Sequence, residues 1–184
     1  MKVTGKKTVF KGRFLSIVDK YMVGSNGINK VWETVERVNV TGRGAVVIVA
    51  LTHKGELIFE KNWRAPLESY VIQFPAGLTD ISGESEEETA RRELLEETGY
   101  LADKLIPVIA VPLAPAVMPT AAMHYFAPDV KFMGAANSQD DEEIEVVKVP
   151  LQQVNDFLLN RQEGVELDLR VPGILWIMRE KKLI

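Results

Sequence analysis

Glu84-Ser85-Glu86-Glu87-Glu88-Thr89-Ala90-Arg91-Arg92-Glu93-Leu94-Leu95-Glu96-Glu97-Thr98-Gly99-Tyr100 is the stretch on which the fold turns. Ser85 with Glu88 three residues on forms a capping box, and the acids of the first turn favour the positive end of a helix dipole. Gly99 stands where a C-terminal stop belongs, so the spacing predicts a helix over 85–98. Along it, Glu93, Glu96 and Glu97 fall at i, i+3 and i+4, on one side of the helix. Each like-charge pair at that spacing costs about 0.2 to 0.5 kcal/mol in an isolated helix, and more when desolvated. A solvated acidic face is the ordinary reading of such a run. The alternative is an all-oxygen site for magnesium or manganese, with Glu84 supplying a further oxygen or holding a ligating water.

Outward from the helix, strands predominate. Residues 7–20 and 28–39 alternate Val, Phe, Tyr and Thr with polar residues around Gly24-Ser25-Asn26-Gly27, which predicts a hairpin. Val46 to Thr52 and Glu56 to Trp63 flank His53-Lys54-Gly55 as a second hairpin, its first arm apolar enough to be buried on both faces. Tyr70 to Phe74, Leu105 to Leu113, Ala122 to Ala127 and Ile144 to Val149 read as strands. Leu151 to Leu159 and Pro172 to Lys182 read as helices, Pro172 suiting a first turn. This order indicates an α/β or α+β sandwich.

With 184 residues, 46% of them apolar, the chain can build one sizeable core. No leader-like apolar block and no run long enough to span a bilayer are visible, so a cytoplasmic protein without a membrane partner is expected. The absence of cysteine rules out thiolate metal sites and thiol nucleophiles. A net charge of −4 with scattered basic residues argues against a nucleic-acid partner. It does not exclude a phosphate substrate, because a cation on carboxylates presents positive charge locally. His53 and His124 have no ligand partner at suggestive spacing.

Glu84, seven residues, then Arg92-Glu93-Leu94-Leu95-Glu96-Glu97-Thr98-Gly99-Tyr100 resembles the Nudix box, G-x5-E-x7-R-E-U-x-E-E-x-G-U with U apolar. From Glu84 onward every defined position matches, which chance delivers roughly once in a hundred million starts. Gly77 lies one residue too far from Glu84, a lengthened loop of the kind chains accept at little cost. The resemblance implies a mixed β-sheet sandwiched between helices. It further implies metal ligation by Glu93 and Glu97, with Glu96 and the Ala76 carbonyl close by, and an Arg92 salt bridge that orients a glutamate, a role for which Arg91 competes.

Trp63-Arg64-Ala65-Pro66 and Phe74-Pro75-Ala76-Gly77-Leu78-Thr79-Asp80 are similar to the ADP-ribose pyrophosphatase branch, except that Gln73 stands where that branch usually has Glu. Val31 to Arg37 resembles the branch's N-terminal hairpin, in which a tryptophan stacks on the base and an arginine meets phosphate. By carry-over these are Trp32 and Arg37, with Arg64 as a second phosphate contact; core packing is the other reading of Trp32 and of Trp63. The resemblance implies a homodimer, a β-hairpin subdomain over 1–40 for dimerisation and stacking, and a catalytic domain over 41–184. Asp140-Asp141-Glu142-Glu143-Ile144-Glu145-Val146 resembles the branch's acidic loop, which makes Glu142 the catalytic carboxylate beside the attacking water and Glu143 its alternative.

The reaction so implied is metal-dependent hydrolysis of a nucleoside diphosphate sugar to a nucleoside monophosphate and a sugar phosphate, with Arg92, Glu96 and Glu142 as catalytic groups. Ala114-Pro115-Ala116 departs from the branch's S-P-G and favours a broader or different nucleotide sugar. The other readings are a GDP-mannose type hydrolase and a non-catalytic Nudix domain that senses a nucleotide sugar.

Overall fold

The computed structural model describes residues 1–134 and 143–184. Among them, two sheets account for most of the chain. The first is a three-stranded antiparallel sheet of β1 (Lys2–Lys11), β2 (Leu15–Val23) and β3 (Asn29–Arg37). The alternation over residues 7–20 predicts one arm of a hairpin. The chain instead turns at Gly12, whose N–H donates to the Leu15 carbonyl at 2.8 Å, so the segment supplies parts of two strands. The Gly24 to Gly27 turn forms as expected, with Gly27 in the left-handed region at φ +74°.

The second sheet has nine strands among the described residues, ordered β12-β6-β5-β4-β10-β8, with β11 on β5, β7 on β4 and β9 on β10. Here β4 is Gly44–Thr52, β5 Glu56–Arg64, β6 Ser69–Gln73, β7 Ala76–Leu78, β8 Tyr100–Leu101 and β9 Ile106–Pro112. Strand β10 is Ala121–Phe132, β11 Ile144–Pro150 and β12 Val165–Leu167. β4 runs parallel to β10 and β6 parallel to β12, the other pairs being antiparallel, so the sheet is mixed.

Strand alternation explains the sandwich. Val46, Ile48 and Ala50 of β4 point to the face where Ala90 and Leu94 of α1 (Glu86–Thr98) pack. Ala45, Val47 and Val49 point to the other face, against α2 (Val154–Leu159) and α3 (Arg170–Glu180). Covered on both sides, β4 tolerates the near-continuous apolar run its sequence carries. No helix among the described residues is long and apolar enough to cross a membrane.

Candidate active site

Helix α1 begins and ends as its sequence requires. Ser85 accepts from the Glu88 N–H, the Glu88 carboxylate accepts from the Ser85 N–H at 2.8 Å, and Gly99 closes the helix at φ +75°. Leu94 and Ala90 anchor one side in the core, which turns Glu93, Glu96 and Glu97 toward a cleft of about 930 Å³, a size suited to a small-molecule ligand. The cleft is lined by those three glutamates together with Arg92 and Ala76. From outside α1, Arg37 at the end of β3 and Arg64 at the end of β5 also line it. Seven residues singled out from the sequence therefore share one cavity.

Trp32 does not line that cavity. It is half exposed on the small sheet, and its indole Nε1–H donates to the Ala116 carbonyl at 3.0 Å. Trp63 packs edge-on against Tyr70, with ring centroids 5.3 Å apart. Glu142 lies outside the described residues. Its neighbour Glu143 accepts from the Tyr70 hydroxyl at 2.8 Å.

Arg92 is the hub of the acidic cluster. Its Nε and Nη2 donate to the two Glu84 oxygens at 3.0 and 3.1 Å, and Nη1 donates to Glu93 and Glu96 at 3.0 Å each. Arg91 faces away, bonding Glu87 and the Ala102 carbonyl, whereas Arg92 contacts Glu84, Glu93 and Glu96. Glu84, despite the extra loop residue before it, is gripped by the guanidinium and by the Thr89 hydroxyl. Hydrogen bonding from Arg92 holds the Glu84 carboxyl below its ordinary range, and the same Glu84 bond raises the Arg92 pKa. Burial pushes Glu93 up against the opposing pull of Arg92.

Glu97 has a different environment. One of its oxygens accepts from the Ala76 N–H at 3.0 Å, and its neighbour is the fully buried Glu60 of β5. Burial, then the charge and hydrogen bond of Glu60, drive the Glu97 pKa strongly upward. Two buried carboxyls in contact either share one proton or need a cation between them to ionise together. Gly77 makes the surroundings close enough to matter: a Cβ there would lie 2.0 Å from the Glu93 carboxyl carbon, so any larger residue would displace the Glu93 side chain.

Among the described residues, no three carboxylates or imidazoles are already drawn around one point. The donors present are nonetheless all oxygen, with carboxylates at Glu93, Glu96 and Glu97 and the residue Ala76 at the same cavity wall. Such a set, with its surplus negative charge, fits magnesium or manganese and not a soft metal.

Sequence reasoning missed Glu60, Asp168 and Arg170, and marked Gln73 only as a departure from the branch pattern. Strand β5 places Glu60, Asn62 and Arg64 on one face, and Gln73 of β6 sits directly opposite Glu60. The acid that the resemblance expects at position 73 thus has a counterpart one strand away. Three polar residues at period two in an apolar strand were the available signal. Asp168 and Arg170, paired with each other at 2.9 Å, also line the cleft, and no motif announced them.

The NUDIX domain family model matches residues 41–168. The chain is 30% identical over 162 residues to the ADP-ribose pyrophosphatase of Bacillus subtilis (strain 168), covering 88% of this chain and 84% of that one. It is 27% identical over 155 residues to the methanol dehydrogenase activator of Bacillus methanolicus, covering 84% and 80%. The crystal structure of an ADP compounds hydrolase superposes with a TM-score of 0.80 at 28% identity, covering 98% of this chain and 92% of that one. With the box glutamates gathered at one cleft and the family model spanning most of its length, the chain belongs to the NUDIX family.

Proposed function

We propose that this chain hydrolyses the diphosphate bond of a nucleoside diphosphate sugar, with ADP-ribose the first substrate to test. The observation that carries this reading is the cleft itself, where Arg37 and Arg64 line the same cavity as Glu93, Glu96 and Glu97. Guanidinium forks suit phosphate oxygens, and carboxylates suit the cation that accompanies a diphosphate. The relatives named ADP-ribose pyrophosphatase and ADP compounds hydrolase support the same substrate class.

In this reading Glu93, Glu97, Glu96 and the Ala76 carbonyl hold Mg2+, or Mn2+ in its place. When bound, the cation neutralises diphosphate charge and acidifies water. Arg92 keeps Glu93 and Glu96 in place through its contact with Glu84, and Arg37 and Arg64 hold phosphate oxygens. Glu142 takes the proton of the attacking water, a role that the Tyr70 contact makes less available to Glu143. Residues 1–40 serve as a dimerisation and stacking subdomain and 41–184 as the catalytic domain. Trp32, standing off its own cleft, stacks on the base bound by the partner subunit of a homodimer.

The test is a panel of ADP-ribose, GDP-mannose, UDP-glucose and dinucleoside polyphosphates in saturating Mg2+. AMP and ribose 5-phosphate from ADP-ribose support the reading. No product from any of them in Mg2+ or Mn2+ overturns it. Sedimentation in solution checks the dimer, and a monomer at assay concentration removes the Trp32 assignment.

A further inference from the structure

Gln73 links two parts of the cleft that carry opposite charge. It is 4% exposed, and its side-chain oxygen accepts from both Nε and Nη2 of Arg64, at 3.0 and 2.8 Å. Its side-chain nitrogen donates to Glu60 at 3.3 Å, and Glu60 contacts Glu97. The register explains the arrangement. Gln73 pairs with Glu60 across β5 and β6, and Arg64 projects from the same face of β5, so one short side chain meets both.

An amide makes both bonds at once without taking up a proton. A carboxylate would accept from Arg64 but face Glu60 with like charge, and a hydrocarbon would make neither bond. An amide also differs from a carboxylate in what it leaves behind. An arginine gripped by an acid has its charge largely cancelled, whereas one gripped by a neutral oxygen is fixed in direction and keeps its full charge for an incoming anion.

We propose that Gln73 is a positioning residue that aims the Arg64 guanidinium into the cleft and holds it off the Glu60 and Glu97 carboxyls, keeping its charge for the substrate diphosphate. This rests on the function proposed above, in which Arg64 meets phosphate. Gln73 itself touches no reacting atom.

The experiment is a double-mutant cycle on ADP-ribose, with KM and kcat measured in saturating Mg2+ and binding measured by calorimetry in EDTA. Gln73→Leu, Gln73→Glu and Arg64→Ala each raise KM about tenfold and weaken metal-free binding by a similar factor, with kcat within about threefold of wild type. Added to Arg64→Ala, either Gln73 substitution has no further effect, because residues acting through one contact are not additive. Gln73→Met, unbranched and close in volume, serves if Gln73→Leu does not fold. A tenfold loss that persists in the Arg64→Ala background, or a Gln73→Glu variant that binds as wild type does, overturns the proposal while leaving the function intact. A wild-type protein that neither binds nor cleaves ADP-ribose or any other member of the panel removes the function, and this role with it.

Discussion

Strands β4 and β1 make the sharpest contrast in the molecule. β4 is buried along almost its whole length, with Val46, Ile48, Val49 and Ala50 inaccessible between helices on both faces. β1 is exposed at nearly every position, and the sheet it opens leaves Phe10, Phe14, Val31 and Trp32 in contact with solvent. Within one chain the large sheet completes its own core, while of the small sheet only Val18 and Thr34 are fully covered. Apolar content alone therefore does not make a core; a second layer does. Stability should accordingly reside in the large sheet, and the small sheet should matter through what it meets.

The contrast can be broken at several points. The largest effect is expected at the large sheet's chemical edge: Glu97→Gln should fold, lose turnover on the order of a thousandfold, and melt no lower than wild type without metal, since it relieves the contact of two buried carboxyls. Retained activity in saturating Mg2+ would exclude Glu97 as a ligand. Leu94→Ala, opening space between α1 and β4, should cost about 3 to 5 kcal/mol by urea unfolding, and a cost near zero would deny that this layer carries the stability.

Protons probe the same sheet one strand from the cleft wall, where His124 pairs with Val47. His124 is fully buried, and burial lowers its pKa to about 4. The unfolded chain therefore binds a proton that the folded one refuses between about pH 6.5 and 4. Its stabilising contribution is complete above that window and is lost as pH falls through it, by up to about 3 kcal/mol. Urea midpoints for wild type and His124→Asn should converge on acidification, and a constant gap would refute this.

Smaller effects belong to the small sheet. Trp32→Ala should raise KM about tenfold with kcat nearly unchanged, and an unaltered KM would eliminate stacking. Val31→Ala should change monomer stability by less than about 0.5 kcal/mol, as measured at a concentration where no dimer forms. A larger loss would mean that the small sheet contributes more to the core than its exposure indicates.

The parts of this architecture that were legible in advance are those governed by local rules. The capping box at Ser85, the stop at Gly99 and the doubly buried run of β4 each follow from a few adjacent residues. Strands β7, β8 and β12, at two or three residues, were not legible because they exist only by pairing with distant partners. β10 runs past Ala127 to Phe132 through an irregularity that places Asp129 at φ +56°, which strand propensity gives no reason to expect. The same distinction applies to the cleft. Glu93, Glu96 and Glu97 lie on one helix and show in the spacing, whereas Glu60, Gln73 and Arg170 converge only through sheet register and the placement of α3.

Arg92 clamps Glu84, and the loop just before the clamp is open at Gly83, where a Cβ would meet nothing within 4 Å. The chain has no thiol of its own. A single cysteine in place of Ser82 would give a unique attachment point for a fluorophore beside the cleft, able to report occupancy without disturbing the groups that hold it.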